Sequence, residues 1–294
     1  MNAFSNSPAF ETVDRIQRWA FEHLLRDGLP AAPRGMPTRE LLGQSLTLTN
    51  PRARTILAPA RRWSLPLAIG EFCWHASASD DVEALAYYAP KWRAFSADGR
   101  TVHGSCYGRR IFGRARDGRS RWDALLALLE KDSASRRAAI DLSGDDDLLD
   151  PCAPDVSCTS IFQVLVRNGL VHAVVHMRSN DAVWGLPYDI FLFTMLQEMV
   201  ARTLRLELGV YVHSAASLHL YDRHIALAER TLSDRPPLSA EMEIMDPMSG
   251  LDNFLIAERA IRHGEEPPVL ESYWAALADI LKNFSTVRAR GGET

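Results

Sequence analysis

Apolar residues recur at helical spacing near the amino end. Phe10, Val13, Ile16, Trp19, Ala20 and Leu24 form one stripe and predict an amphipathic helix over about Glu11 to Arg26. A stretch rich in Pro and Gly, Gly28 to Pro37, predicts a loop, and SLTLTN after it reads as a strand. Leu65 to His75 is apolar but for one carboxylate, Glu71, which predicts a buried helix. Residues 76–120, rich in Gly, Ser and Asp, read as irregular covering chain. RWDALLALLEK predicts a short amphipathic helix, and SRRAAIDLS a turn into a strand. SIFQVLVR and LVHAVVHMR are two β-rich runs joined by Asn168-Gly169, the strongest two-residue hairpin signal. Asp189 could cap the next helix, whose apolar IFLFTMLQEMV predicts deep burial. The alternation in GVYVHSAASLHLY puts Ser217, His219 and Tyr221 on one face of a strand. The last quarter is interrupted by Pro until a helix near Tyr273 to Asn283. One α+β domain with a mixed sheet and flanking helices, spanning 1–294, fits this order.

Composition adds few restrictions. The chain has 294 residues, 47% hydrophobic and 24% charged, as ordinary globular proteins do. A net charge of −4 gives no sign of a nucleic-acid partner, although local Arg clusters could still grip phosphate. Cys73, Cys106, Cys152 and Cys158 form no CxxC pair, which suits free thiols in a reducing compartment. No apolar run approaches membrane length and the start lacks the layout of a secretory signal, so a cytoplasmic location is expected.

Taken singly, the chemically interesting residues are ambiguous. Cys158 follows a turn-rich segment and opens a strand; alone, it is better explained as a structural thiol than as a nucleophile, which would need a neighbouring cation. Arg178 stands about as far from the Asn-Gly turn as Cys158 does, so both belong at one sheet end. Adjacent Arg136 and Arg137 on a strand would point to opposite faces and read as solvated charge. Arg178-Ser179 could grip phosphate or form a strand-end ion pair. His219 with Tyr221 suits a sugar hydroxyl or an internal hydrogen-bond network. Glu71 is either hydrated at a helix boundary or a buried acid with a raised pKa.

Order and spacing resolve much of this. Cys158 with Gln163, then RSNDAVWGLPYD (Arg178 to Asp189), then HLY (His219 to Tyr221) resembles the thymidylate synthase superfamily. Its pattern reads Cys-His-x-x-x-Gln, Arg-Ser-x-Asp-x-x-x-Gly-x-Pro-x-Asn, and His-x-Tyr. Upstream, SRRAAI resembles the paired arginines, GEFCW the Glu-x-x-Trp helix and GSCYGRR the Tyr-Gly segment. The resemblance covers about 30–230.

It implies that Cys158 adds to C6 of a pyrimidine nucleoside monophosphate and that 5,10-methylenetetrahydrofolate donates one carbon to C5. Glu71 and Tyr107 would assist proton transfers. Arg34 (or Arg39), Arg178 and Ser179 would hold the phosphate, joined by Arg136 and Arg137 from the partner of a homodimer packed through the sheet. Gln163, His219 and Tyr221 would hold the nucleoside, and Asp181 with Trp92 the folate. Membrane and nucleic acid are not implied.

Three departures bear on the substrate. Asp189 stands where the pattern has Asn, whose amide suits uracil; a carboxyl suits cytosine, with its N3 acceptor and N4 donor. Thr159 replaces the pattern's His. RARGGET is polar where synthases have an apolar tail that closes over folate. The expected activity is therefore 5-hydroxymethylation of CMP or dCMP, as in the deoxycytidylate hydroxymethylases. The alternatives are a divergent thymidylate synthase or uridylate hydroxymethylase, and a nucleotide- or RNA-binding relative without catalysis.

Overall fold

The computed structural model describes residues 7–144, 153–235 and 240–291, so Cys152 and the last three residues of the chain lie outside the described residues. Asn168 and Gly169 both take left-handed backbone, φ 53° and 76°, the geometry of a tight hairpin turn. They join β5 (Thr159–Arg167) to β6 (Leu170–Met177), paired antiparallel so that Thr159 meets Met177 at the open end. The other described strands are β1 (Ala9–Phe10), β2 (Leu29–Ala31), β3 (Thr38–Leu48), β4 (Ala139–Asp141), β7 (Asn180–Asp181) and β8 (Glu207–Tyr221). All eight form one mixed sheet of order β1-β3-β8-β6-β5-β4, with β2 beside β3 and β7 beside β8.

Nine helices are described: α1 (Val13–Asp27), α2 (Leu65–Ala76), α3 (Val82–Ala86), α4 (Tyr107–Phe112), α5 (Arg121–Lys131), α6 (Gly185–Leu204), α7 (Ile225–Ser233), α8 (Leu251–His263) and α9 (Ser272–Gly291). Local chemistry sets several starts. Thr12 caps α1, Ser64 caps α2 with Pro66 in its first turn, and Ser120 with Asp123 forms a reciprocal capping box on α5. α6 is buried from Leu186 to Ala201 apart from Asp189, because its apolar residues surround the helix and it lies against β6 and β8.

The long strand β8 changes face midway. Tyr211, His213 and Ala215 are buried in its first half, and Leu218 and Leu220 in its second. The switch lies opposite Gly43 in β3, whose φ of +63° is left-handed and suits glycine. It turns His219 and Tyr221 away from the core at the end where β5 begins. On β5 and β6 the core side is Phe162, Val164, Val171, Ala173 and Val175. The far side carries Ile161, Gln163, Leu165 and Val174, all half-buried or exposed.

Several expectations need correction. β3 starts at Thr38, not near Ser45, because pairing with β8 continues through the polar residues of TRELLGQ. The loop 28–37 contains β2 and a tight turn. The stretch 76–120 holds α3 and α4, and α8 was not anticipated. Asp189 is no cap: α6 begins at Gly185, so Asp189 sits one turn inside. Arg136 and Arg137 precede β4 rather than lying on it, and both are exposed.

Candidate active site

The hairpin register delivers the first element of the site. Cys158 and Arg178 flank the last paired residues, and the Arg178 backbone N–H donates to Cys158 O at 2.9 Å. The guanidinium bends back: Nε donates to Ser157 O at 2.7 Å, Nη2 to Val156 O at 3.2 Å, and Nη2 lies 3.9 Å from Cys158 Sγ. Burial pushes the Cys158 thiol up to about 11, opposed by the Arg178 charge and more weakly by Arg34. The cation expected beside the thiol is there, but desolvation dominates in the free chain.

Tyr107, at the start of α4, is buried within electrostatic reach of this thiol. Its hydroxyl oxygen accepts from Thr159 N–H at 3.3 Å, and its ring stacks on His75 at 5.4 Å between centroids. Burial, then the proximity of Cys158 and Asp189, raises the phenol well above its ordinary value, so it stays protonated. Gly108 must be glycine here, since a Cβ would lie 2.1 Å from His75 O.

Glu71 and Asp189 form the acidic floor, from α2 and α6. Burial, with the Asp189 charge, raises Glu71 to about 8 against the attraction of Lys91. Burial raises Asp189 to about 7, opposed by a hydrogen bond from Asn180 and assisted by Asp181. Asn180 Nδ2 donates to Asp189 Oδ2 at 2.7 Å. Both acids are half-buried. Lys91, drawn to Glu71 and Asp181 but lowered to about 8 by burial of its ammonium, sits 3.1 Å from the centroid of the Trp184 ring. Trp184 is 38% exposed and stacks toward Tyr188.

At the carboxyl end of β8, His219 and Tyr221 meet edge to face at 5.1 Å. His219 feels the charges of Asp181, Glu40 and Arg34. Asp181 Oδ1 accepts from Val183 N–H at 2.8 Å. Arg34 is exposed on a tight turn with φ 53°, electrostatically close to Cys158 and His219. The alternative Arg39 instead donates to Leu25 O at 2.9 Å and ties β3 to α1. Trp92 packs against Trp74 and Phe95, one step removed from Lys91.

The fold thus brings Cys158, Arg178, Tyr107, Glu71, Asp189, Asp181, His219, Tyr221 and Arg34 into one neighbourhood, each within electrostatic or ring contact of another. Arg136 and Arg137 are apart from it: Gln163 Nε2 donates to Arg136 O at 2.9 Å, which holds the pair beside the far side of the sheet. Lys91, Trp184, Asn180 and His213 escaped sequence reasoning. Asn180 lay inside a quoted motif at a position where the pattern accepts any residue.

A sequence model of the thymidylate synthase family matches residues 20–269. Bacillus phage phi3T thymidylate synthase is 27% identical over 232 residues, covering 75% of this chain and 79% of the phage protein. Thymidylate synthase 1 of Bacillus spizizenii is 26% identical over 235 residues, with 75% and 79% covered. The thymidylate synthase of Listeria monocytogenes serotype 4a aligns at 25% over 148 residues, 50% of this chain and just under half, 46%, of its own length. The chain belongs to the thymidylate synthase family, and its mixed α+β sheet is that fold. Among the described residues no helix is long and apolar enough to cross a membrane.

Proposed function

We propose that the chain is a folate-dependent C5 transferase acting on a cytosine nucleoside monophosphate, CMP or dCMP, and forming the 5-hydroxymethyl product. The observation that carries this reading is Asp189: a carboxyl where the family pattern has an amide, raised to about 7 by burial and within electrostatic reach of Cys158. Protonated, it gives a hydrogen bond to cytosine N3 and receives one from the N4 amino group; uracil presents the reverse pattern.

The chemistry follows from the placement of the side chains. Cys158 Sγ adds to C6, and the electron pair displaced from the C5–C6 bond makes C5 nucleophilic. The Arg178 guanidinium beside the sulfur stabilises its thiolate and, with Arg34 and Ser179, serves the phosphate. Glu71, near 8, can accept and return a proton at neutral pH. Tyr107, protonated and buried, can relay the C5 proton only by passing on its own, so it acts as a relay and not as a free base. His219 and Tyr221 orient the nucleoside, whereas Gln163, on the far side of the sheet beside Arg136, stands apart from them. Trp184, 38% exposed with Lys91 over its ring, and the Asp181 carboxylate offer an aromatic edge, a cation and a hydrogen-bond acceptor suited to a pterin, and these residues with Trp92 would hold the folate. Bound 5,10-methylenetetrahydrofolate supplies the one-carbon unit. Water, rather than hydride, completes the product.

A homodimer packed through the far side of the sheet accompanies this reading. That side carries Ile161, 37% exposed, with Leu165 and Val174, and Arg136-Arg137 flank it at Gln163, where a partner would approach.

The test is incubation of the full chain with methylenetetrahydrofolate and each of CMP, dCMP and dUMP, with products read by mass spectrometry. A hydroxymethylated cytidylate is expected, and Asp189→Asn should shift turnover toward uracil. Methylated dUMP as the sole product would overturn the proposal in favour of a divergent thymidylate synthase.

A further inference from the structure

Behind Asp189 runs a line of buried polar side chains that the chemistry above does not use. Tyr211, His213 and Asn180 are 0%, 1% and 2% exposed. Tyr211 Oη lies 2.9 Å from His213 Nδ1, His213 Nε2 lies 3.0 Å from Asn180 Oδ1, and Asn180 Nδ2 lies 2.7 Å from Asp189 Oδ2. We infer that Asn180, His213 and Tyr211 form a one-way hydrogen-bond chain that fixes which oxygen of Asp189 accepts and which donates, and so sets selectivity for cytosine over uracil. The inference rests on the cytosine reading of the site.

The direction follows from the amide. Asn180 Nδ2 also faces Met177 Sδ at 3.4 Å, so its two N–H groups address a carboxyl oxygen and a thioether, both acceptors. Its oxygen therefore faces His213, which must carry its proton on Nε2. The Nδ1 lone pair then receives the Tyr211 hydroxyl. Burial keeps this imidazole neutral, lowered to about 3, and raises the Tyr211 phenol, so one proton sits on each ring group. Every donor finds an acceptor, and the chain ends on Asp189 Oδ2.

That oxygen consequently accepts in either protonation state, and a proton on the carboxyl is favoured on Oδ1, which leaves Oδ2 the stronger acceptor for Asn180. Cytosine matches: Oδ1–H meets N3, and Oδ2 accepts from N4–H while still accepting from Asn180. Uracil needs a donor opposite O4. Supplying it from Oδ2 leaves Asn180 only the poorer acceptor of a protonated carboxyl oxygen and weakens that bond. Turning the Asn180 amide over sets its oxygen against the Met177 sulfur and its N–H against a protonated His213 Nε2. Relief then requires the other His213 tautomer and a displaced Tyr211 proton. Each of these steps weakens or breaks a buried hydrogen bond. Gly185 makes the room: a Cβ there would lie 2.8 Å from Asn180 Nδ2 and 3.2 Å from Asp189 Oδ2. Asn180, His213 and Tyr211 are thus positioning residues acting through Asp189.

Two measurements on the full chain test this. Nitrogen NMR of the imidazoles should show His213 as the Nε2–H tautomer; the Nδ1–H tautomer would overturn the chain. Calorimetric titration with CMP, dCMP and dUMP, without folate, gives the cytosine-to-uracil affinity ratio. Tyr211→Phe, which preserves the ring, and Asn180→Ala should each lower that ratio by about tenfold, the effect of one buried hydrogen bond. An unchanged ratio in folded Tyr211→Phe overturns the chain and leaves the cytosine reading intact. A wild-type preference for dUMP overturns the cytosine reading itself, and the inference with it.

Discussion

Cys158 is a nucleophile candidate whose own environment works against ionisation: its thiol is pushed up to about 11 by burial, and Arg178 is the main opposing charge. Replacing Arg178 by Ala removes that opposition, so alkylation of Cys158 by iodoacetamide at pH 8 should slow severalfold, read by mass spectrometry of the labelled peptide. An unchanged rate would mean that the guanidinium, 3.9 Å from the sulfur, does not tune it. Glu71 offers a second residue-scale test. Its pKa is raised from 4.5 to about 8, so the folded state binds this proton more tightly than the unfolded chain does. The stability it contributes is full below pH 4.5 and is lost as pH rises to 8. Glu71→Gln should flatten the decline in Tm over that window, measured by thermal unfolding against wild type; parallel curves would contradict the shift. The pairing of Cys158 with Arg178 was legible in sequence, because hairpin register is simple counting from Asn168-Gly169. The partners of Asp189 were not. Asp189 is on α6, Asn180 nine residues earlier on β7 and His213 on β8, and no periodicity links them.

At the scale of elements, strongly patterned segments read true. α1, α2, α5, α6 and the β5–β6 hairpin fall within a few residues of expectation. Short or bounded elements did not: α4 has six residues and stops at Gly113, and α8 lies between Pro247 and Pro267, where loop signals outweigh its stripe of Phe254, Ala257 and Ile261. The start of α6 matters most for function. Helix propensity alone says Gly185→Ala should stabilise by about 1 kcal/mol. The added methyl would instead force apart Asn180 and Asp189, 2.8 and 3.2 Å from the new Cβ. The second effect should win, because the neighbours are held in a buried network: stability should fall by about 1–2 kcal/mol in urea unfolding. A variant more stable than wild type would show that the Asn180–Asp189 pair yields easily.

For the whole molecule, the question is whether one chain holds a complete site. Arg136 and Arg137 are exposed, fixed beside Gln163 on the side of the sheet where apolar Ile161, Leu165 and Val174 lie open. Their positions make sense if a second copy covers that side and receives the arginines at its own phosphate. Mixing two inactive variants separates the possibilities. In a heterodimer of Cys158→Ala with Arg136→Ala/Arg137→Ala, the second chain keeps its thiol and borrows arginines from the first, so one site of two is whole. Random re-association of equal amounts makes half the dimers mixed, and activity should recover to about a quarter of wild type. If the arginines serve their own chain, every mixed dimer has one site without the thiol and one without the arginines, and activity stays at background. Recovery to a quarter requires a dimer, and sedimentation of the mixture checks that one forms. A monomer throughout would remove the shared site and leave Arg34 and Arg178 as the phosphate's cations.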